Sequence, residues 1–347
     1  MLETNCGANS VIEAHDRKQT IKAGGGTGRS LKQMWRNGKA CNYPSYRVLI
    51  VAAGALLQCS ICQGQRESAG LELQSEDYSK ARSHFQTHLV RHGAAPQRSH
   101  QLPTPAGAQR VLYSKTLSLM AWITPLPAHT SKRSDLSKTA KIAGVKKPAV
   151  LFLHGGFAIG GSDWQMAQPY RDAGYVVMMP VLRGENGQAG DYSLFYNEVQ
   201  DVLTAADYLA SRPDVDPKHI YLAGHSVGGT LALLTAMTTS RFRAAVAFSG
   251  SPDQIAWTKP RPEVVPFDKS NLREYRMRSP IAFATSFKCP VRMYYGSVEL
   301  LFAPLTRQMA TMAKQKSLDV EAVQVPGNHF TAVPDAMLKS IAFFRSK

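Results

Sequence analysis

From residue 110 onward, the chain alternates short apolar runs with longer stretches of helical character. The runs are apolar at consecutive positions, which is typical of parallel strands that are buried on both faces. Strands that alternate with helices predict an α/β fold, with a mostly parallel central sheet and helices on both of its faces. The predicted parallel strands are 149–153, 175–181, 219–224, 243–248, 291–295 and 320–325.

Helical patterns occupy the segments between those strands. An amphipathic helix is predicted over 193–211, with Val199, Val202 and Leu209 on one side, and another over 164–173. An Ala/Leu-rich helix follows residue 226, and a last helix lies near the end of the chain. Ahead of the parallel strands, 110–123 predicts two antiparallel strands joined by a turn at Ser114–Lys115.

The rest of the chain divides by composition. Residues 1–64 form a polar, basic leader that ends in an apolar segment at 48–62, and 65–109 predicts a helical arm followed by a proline-rich connector. The α/β domain then covers 110–347. Within it, 251–287 is a long stretch rich in proline and aromatic residues, which is either a lid that shapes a pocket or an inert surface excursion.

The apolar segment 48–62 is short for a membrane span and suits the apolar region of a secretory signal. Translation from Met34 and cleavage near Gln65 would give an ordinary signal peptide. A lipoprotein acylated at Cys59 or Cys62 and an uncleaved membrane anchor are the alternatives. We therefore expect a secreted or periplasmic protein, or one associated with a membrane through this segment, rather than a cytoplasmic one.

Charge and composition exclude several classes of function. The formal net charge is +16, but the densest basic run, 132–147, contains Ser, Thr and Ala without aromatic residues, so we predict a solvated loop and no nucleic-acid partner. Cleavage of the leader would leave Cys289 alone, which implies no disulfide framework. His84, His88 and His92 would share one face of a helix, yet no carboxylate completes a metal set. No metal and no organic cofactor are predicted.

The strongest chemical signal is Gly224-His225-Ser226-Val227-Gly228. A β-prone run precedes it and a helix-prone run follows, which is the context of a nucleophile elbow. Glycine on each side lets the chain turn sharply and lifts the serine hydroxyl clear of the sheet. The sequence therefore predicts Ser226 as a nucleophile at a helix N-terminus, with the Val227 N–H facing developing negative charge.

A serine nucleophile needs a base, and the base needs a carboxylate that orients it. His329 follows the last predicted strand in a loop with Gly and Asn, so it can be aimed at a neighbouring strand end. Glu299 follows the strand before it and is the predicted acid, ahead of Asp253 and Asp319. The sequence thus predicts a Ser-His-Glu triad that works through an acyl-enzyme.

Two further sets of residues complete the predicted site. Beside Val227, the second oxyanion donor is expected at Gly156 or Phe157, just after strand 149–153. Arg183, at the end of strand 175–181, and His225, inside the elbow, are the candidate substrate-binding residues. For Arg183, an ion pair with a carboxylate of the following helix is the structural alternative; the candidate partners are Glu198 and Asp201.

Taken together, these motifs resemble the α/β-hydrolase superfamily, and more narrowly the prolyl-oligopeptidase-type catalytic domain and dienelactone-hydrolase-like serine hydrolases. The resemblance covers 110–347 and is carried by His154-Gly155-Gly156, Arg183-Gly184-Glu185-Asn186-Gly187, Gly224 to Gly229, Gly296-x-x-Glu299 and His329. It implies a serine hydrolase that cleaves an ester or amide bond.

Two departures from the peptidases of that group favour small substrates. Their acid is normally Asp, whereas this chain has Glu299, and they carry a propeller for which 65–109 offers no room. We therefore expect an esterase acting on a small molecule. The alternatives are an exported, aminopeptidase-type peptidase acting on short peptides and, third, a non-catalytic binding protein, which would lack part of the triad.

Overall fold

An eight-stranded sheet organises the part of the chain that the computed structural model describes, which is residues 71–96, 101–126 and 146–347. The strand order is β1-β2-β4-β3-β5-β6-β7-β8. The strands β1 and β2 are antiparallel to their neighbours, and the six from β4 to β8 in that order are parallel. In chain order, the strands β1 to β8 are Gln109–Ser114, Leu119–Ile123, Lys147–Leu153, Val176–Pro180, Val215–His225, Ala245–Phe248, Val291–Gly296 and Val320–Val325.

Helices cover both faces of the sheet. In chain order, α1 to α9 are Tyr78–His84, Gly161–Met166, Gln168–Asp172, Glu198–Ser211, Val227–Ala236, Gln254–Thr258, Leu272–Arg276, Phe302–Lys314 and Val333–Arg345, with 3₁₀ turns at Pro262–Val264 and Pro280–Phe283. Successive residues of β3 belong to opposite cores: Leu151 packs on the side of α4 and α5, and Phe152 on the side of α3 and α9. This confirms the predicted α/β fold, because an all-apolar strand is what two buried faces require.

Two predicted helices differ from the observed ones. One begins later than predicted, and the other is divided into two. The predicted helix 193–211 begins only at Glu198, because the Glu198 carboxylate accepts hydrogen bonds from the Ser193 N–H and hydroxyl. Leu194 and Phe195 also have positive φ, so they cannot continue a helix. The predicted helix 164–173 is divided into α2 and α3 at Ala167, where α3 starts afresh with Pro169 in its first turn.

The arm differs from the prediction. Helix α1 ends at His84, so His88 and His92 lie in extended chain beyond it and the three histidines do not share a helical face. His84 lies near Glu76 and His92 contacts Asp191, which separates them further. Within the described ranges, no group of His, Cys, Asp and Glu side chains could hold a metal ion.

The insertion 251–287 consists of short helices that lie over the sheet and are tied to the arm. The Tyr78 hydroxyl donates to the Met277 carbonyl at 2.8 Å, and the Glu274 carboxylate accepts from the His88 N–H and the Thr87 hydroxyl. Arg278, which is fully buried, pairs with Glu274 at 2.5 Å. A segment held by so many buried polar contacts is a fixed part of the domain.

Several predictions fall on residues outside the described ranges. These are the leader 1–64 with its apolar segment 48–62, the starting methionine at Met34 and the basic run as far as Lys141. In the ranges that are described, no helix has the length and hydrophobicity needed to cross a membrane.

Candidate active site

The turn between β5 and α5 holds Ser226 in a strained conformation. Its φ of 55° and ψ of −114° lie outside the regions that side-chain-bearing residues normally occupy. The turn is fixed on both sides, because the Ser226 N–H donates to the Phe248 carbonyl at 2.8 Å and the Gly228 N–H donates to the His154 carbonyl at 3.1 Å. Strain that is held in this way presents the hydroxyl at the carboxyl edge of the sheet, where ligands bind in folds of this kind.

The glycines of the elbow are required by close backbone contacts. A Cβ added to Gly224 would lie 2.1 Å from the Gly228 carbonyl oxygen, and one added to Gly228 would lie 2.2 Å from the Leu153 carbonyl oxygen. Both neighbours are backbone, so neither can move aside. The Gly-x-Ser-x-Gly spacing is therefore a steric condition for bringing α5 against β3 and β5.

Ser226, His329 and Glu299 come from three different loops and meet at this edge. His329 Nε2 lies 2.9 Å from Ser226 Oγ, and His329 Nδ1 lies 2.7 Å from Glu299 Oε1. The loop after β8 supplies the imidazole and the loop after β7 supplies the carboxylate. With the Nδ1 hydrogen donated to Glu299, Nε2 carries the lone pair that can take a proton from the serine hydroxyl.

The second carboxylate oxygen of Glu299 also accepts hydrogen bonds. Oε2 accepts hydrogen bonds from the Ser249 hydroxyl at 2.6 Å and from the Gly296 N–H at 2.5 Å. Burial acts to raise the pKa of this carboxyl, but the hydrogen bonds from His329, Ser249 and Gly296 outweigh it and lower the pKa. Glu299 is thus kept ionised, which suits a group that stabilises an imidazolium. Sequence patterns give no sign of Ser249, which directly follows β6 and has a φ of 52°.

The rival acids are engaged elsewhere. Asp253 caps α6 by accepting from the Ile255 N–H at 2.8 Å. Asp319 lies at the opposite end of the sheet, where it pairs with Arg292 at 2.7 Å and with Lys347 at 2.6 Å. Neither carboxylate contacts His329.

The predicted oxyanion donors line the same cavity as Ser226. Gly156, with a φ of 72°, turns the chain after β3 and brings Gly156 and Phe157 to the cavity wall beside Val227. Val227 is the first residue of α5, so its N–H has no acceptor within the helix. The N–H of a helix start beside a glycine turn is the arrangement that binds an oxyanion.

A buried ion pair lies under this turn. His154 Nε2 donates to Glu185 Oε2 at 2.9 Å, and Nδ1 donates to the Gly155 carbonyl at 3.1 Å. Burial alone would lower the pKa of His154, but the Glu185 carboxylate outweighs it and raises the pKa to about 9. His154 is therefore an imidazolium with both nitrogens satisfied. The sequence motifs contained both residues, but nothing in them indicated that they pair.

An open cavity of about 550 Å³ lies above Ser226. One wall is the loop after β7, whose residues Val298, Leu300 and Leu301 are exposed apolar side chains. The facing wall comes from the insertion, through Trp257 and Arg261. The insertion thus contributes side chains to the wall of the cavity.

The two candidate substrate-binding residues lie elsewhere, which corrects that prediction. Arg183 forms a bidentate ion pair with Asp201, with N···O distances of 2.6 and 2.9 Å, so the structural alternative is the right one. His225 is 2% exposed, packs against Gly155 and donates from Nε2 to the His329 carbonyl at 2.9 Å. Burial lowers its pKa, so it stays neutral. His225 supports the loop that carries His329 and does not reach the cavity.

The sheet order, the strained serine and the serine–histidine–carboxylate contacts together define the class of protein as an α/β hydrolase. The chain matches the prolyl oligopeptidase family over residues 162–340, which is more than half of its length, and it therefore belongs to that family of serine hydrolases.

Individual relatives agree with this class. The uncharacterized peptidase YtmA of Bacillus subtilis (strain 168) is 27% identical over 160 residues, which is 42% of this chain and 61% of that protein. The chain thus spans less than two thirds of that curated relative.

Solved structures give the same fold. A puromycin-hydrolyzing peptidase of Mycobacterium tuberculosis superposes with a TM-score of 0.57 and 20% identity, over 73% of this chain and 41% of that one. A putative dienelactone hydrolase from Klebsiella pneumoniae subsp. pneumoniae MGH 78578 gives a TM-score of 0.50 and 17% identity, over 69% of this chain and 98% of that one. At these identities the two structures support the fold and nothing finer.

Proposed function

We propose that the protein hydrolyses small esters or amides through an acyl-enzyme formed on Ser226. The observation that carries this proposal is the 2.9 Å contact between His329 Nε2 and Ser226 Oγ, beneath an open cavity. A serine hydroxyl that touches an oriented imidazole is an activated nucleophile. The intact triad also argues against a purely binding role for the fold.

The chemistry follows from the positions of the donors and acceptors. Ser226 Oγ attacks the carbonyl carbon while His329 Nε2 takes the hydroxyl proton, and Glu299 stabilises the resulting imidazolium. The N–H groups of Val227 and of Gly156 or Phe157 bind the oxyanion. His329 then returns the proton to the leaving group. Water, deprotonated by the same imidazole, attacks the acyl-enzyme; as the acyl–oxygen bond breaks, the imidazolium returns the proton to Ser226 Oγ and the acid is released.

The charges of the cavity favour a substrate without a free ammonium group. In the described part of the cavity wall, the carboxylate is that of Glu299, and both of its oxygens are engaged by His329, Ser249 and Gly296. The other fully charged side chain is the cation Arg261. A peptide with a free N-terminus would meet a like charge without a compensating carboxylate, which disfavours the aminopeptidase alternative.

A fluorophosphonate probe and para-nitrophenyl butyrate test the proposal. Wild-type protein is expected to be labelled and to hydrolyse the ester, and Ser226→Ala is expected to lose labelling and at least about 10⁴-fold of kcat. Ser270→Ala is the matched control, because Ser270 is an exposed serine of the insertion that bonds only to Asp268 within the described residues. Labelling that persists in Ser226→Ala would remove the nucleophile from this account.

Membership of the prolyl oligopeptidase family favours a second candidate, a peptidase that acts on N-blocked peptides. The two are separated by comparing para-nitrophenyl butyrate with N-acetyl-alanine para-nitroanilide and alanine para-nitroanilide. Hydrolysis of the ester alone supports the esterase. Efficient cleavage of the acetylated anilide supports the peptidase, and a preference for the free-amine anilide would contradict the charge argument.

A further inference from the structure

Arg261 is a cation in the wall of the cavity that the triad does not use. It follows α6 in the insertion and lines the same cavity as Ser226 and His329. Its guanidinium lies over the Trp257 ring, 4.8 Å from the ring centroid, and Nη1 donates to the Trp257 carbonyl. These contacts fix the side chain against the cavity wall and leave other N–H groups of the guanidinium to meet a ligand.

The support of Arg261 extends to the residues around the nucleophile. Trp257 makes an edge contact with Phe157, with ring centroids 6.2 Å apart, and a tilted contact with Phe195 at 6.0 Å. Phe157 follows the glycine turn at which the second oxyanion donor is proposed. Arg261 is therefore connected through Trp257 and Phe157 to the part of the site where the oxyanion donors are proposed.

Three other arginines of the domain that are buried or partly buried are paired with carboxylates. Arg183, Arg212 and Arg278 are each bonded to a carboxylate at 2.5–2.7 Å. Among the residues that the structure describes, no carboxylate lies within 4.0 Å of Arg261. A partly buried guanidinium in an apolar cavity gains most from a ligand that brings the missing anion.

We propose that Arg261 selects substrates that carry a carboxylate at the end remote from the scissile ester or amide, which it binds through a charge-assisted hydrogen bond. The exposed apolar side chains of the facing wall, Val298, Leu300 and Leu301, would pack on the hydrocarbon part of the same substrate. The substrate class is thus a monoester or monoamide of a dicarboxylic acid, or an acyl derivative of a carboxylate-bearing alcohol or amine. This inference rests on the hydrolase activity proposed above.

Paired substrates of equal length test the charge alone. On the acyl side, mono-para-nitrophenyl adipate is compared with the para-nitrophenyl ester of adipic acid monoamide, which is neutral. On the leaving-group side, para-carboxyphenyl butyrate is compared with para-carbamoylphenyl butyrate. The readout is the ratio of kcat/KM for the anionic substrate to that for its neutral partner. In at least one pair, Arg261→Gln is expected to lower this ratio by about 10-fold, the size expected for losing one charge-assisted hydrogen bond at a partly exposed site.

Two further variants control the experiment. Arg273→Gln removes the same charge from an exposed residue of α7 whose guanidinium lies over Phe85, away from the cavity, and is expected to leave both ratios unchanged. Arg261→Lys keeps the charge and is expected to restore part of the ratio. Ratios that stay the same in Arg261→Gln, or that fall equally in Arg273→Gln, would overturn the proposal. If wild type hydrolyses none of the four esters, the failure lies with the proposed function instead.

Discussion

Replacing Glu185 with glutamine isolates the buried ion pair beneath the proposed oxyanion turn. Glu185 and His154 are each less than 5% exposed, and the carboxylate is 2.9 Å from the imidazole. The substitution keeps the shape of the side chain and removes its charge. His154 would then have a buried imidazole without a counterion, and burial favours its neutral form. Asp163, which also raises the pKa of His154, is the nearby carboxylate that remains.

The size of the effect follows from the pKa of His154, which is raised from 6.5 to about 9. A raised pKa means that the folded state binds the proton more tightly than the unfolded chain does. The resulting stability is fully present below pH 6.5 and is lost as the pH rises through about 9. A shift of this size is worth about 3 kcal/mol at most, and about 2 kcal/mol of it is lost between pH 7 and pH 9.

Urea unfolding of wild type and Glu185→Gln at a series of pH values between 6 and 9.5 measures this contribution. Between pH 7 and pH 9, the free energy of unfolding of wild type is expected to fall by about 2 kcal/mol more than that of the variant. Asp191→Asn is the matched control, because it neutralises an exposed pair with His92 at a similar distance of 2.8 Å and should change the slope little. Parallel curves for wild type and Glu185→Gln would refute a buried imidazolium at this position.

Three other substitutions test separate parts of the structure. Glu274→Gln should destabilise the domain by about 3–5 kcal/mol, because it leaves the buried Arg278 without its carboxylate; chemical denaturation measures the loss. Gly228→Ala should prevent folding, since its Cβ would lie 2.2 Å from a backbone carbonyl, whereas Gly161→Ala, with no atom within 4 Å of the added Cβ, should give soluble protein with an unchanged melting temperature. Glu299→Gln should lower kcat by about 10⁴-fold, with little change in melting temperature, because an amide stabilises the wrong tautomer of the base; wild-type rates would exclude it as the orienting acid.

The fold follows from the sequence because its signal is repeated and local. The parallel strands β3 to β6 each contain a run that is apolar at consecutive positions, and such runs have few alternatives to a sheet buried on both faces. The meeting of Ser226, Glu299 and His329 follows in turn, because parallel strands end at one edge and each residue comes just after a strand. Topology alone brings those side chains into one place.

The features that could not be predicted from the sequence depend on contacts between distant segments. Ser249 bonds to Glu299 from 50 positions away and belongs to no motif. Glu185 and His154 lie in motifs 31 positions apart, but nothing in those motifs indicates that the two residues pair. The start of α4 at Glu198 was also missed, because a side chain that captures the preceding backbone competes with periodicity. Arg183 belongs to a motif, but only the structure distinguishes its ion pair with Asp201 from a role in binding.

The sheet and the insertion contribute different parts of the site, and this difference has a consequence for substrate choice. The sheet fixes the reacting groups through backbone contacts that no substitution can relax, such as those of Gly224 and Gly228. The insertion supplies Arg261, and it is held by polar contacts with the arm and by core packing of side chains such as Phe267 and Phe283, rather than by hydrogen bonds of the central sheet. Changes in the arm should therefore alter which ester is preferred before they alter the intrinsic reactivity of Ser226. This order of effects is expected because the reacting groups lie at the edge of the sheet, whereas Arg261 lies on the insertion.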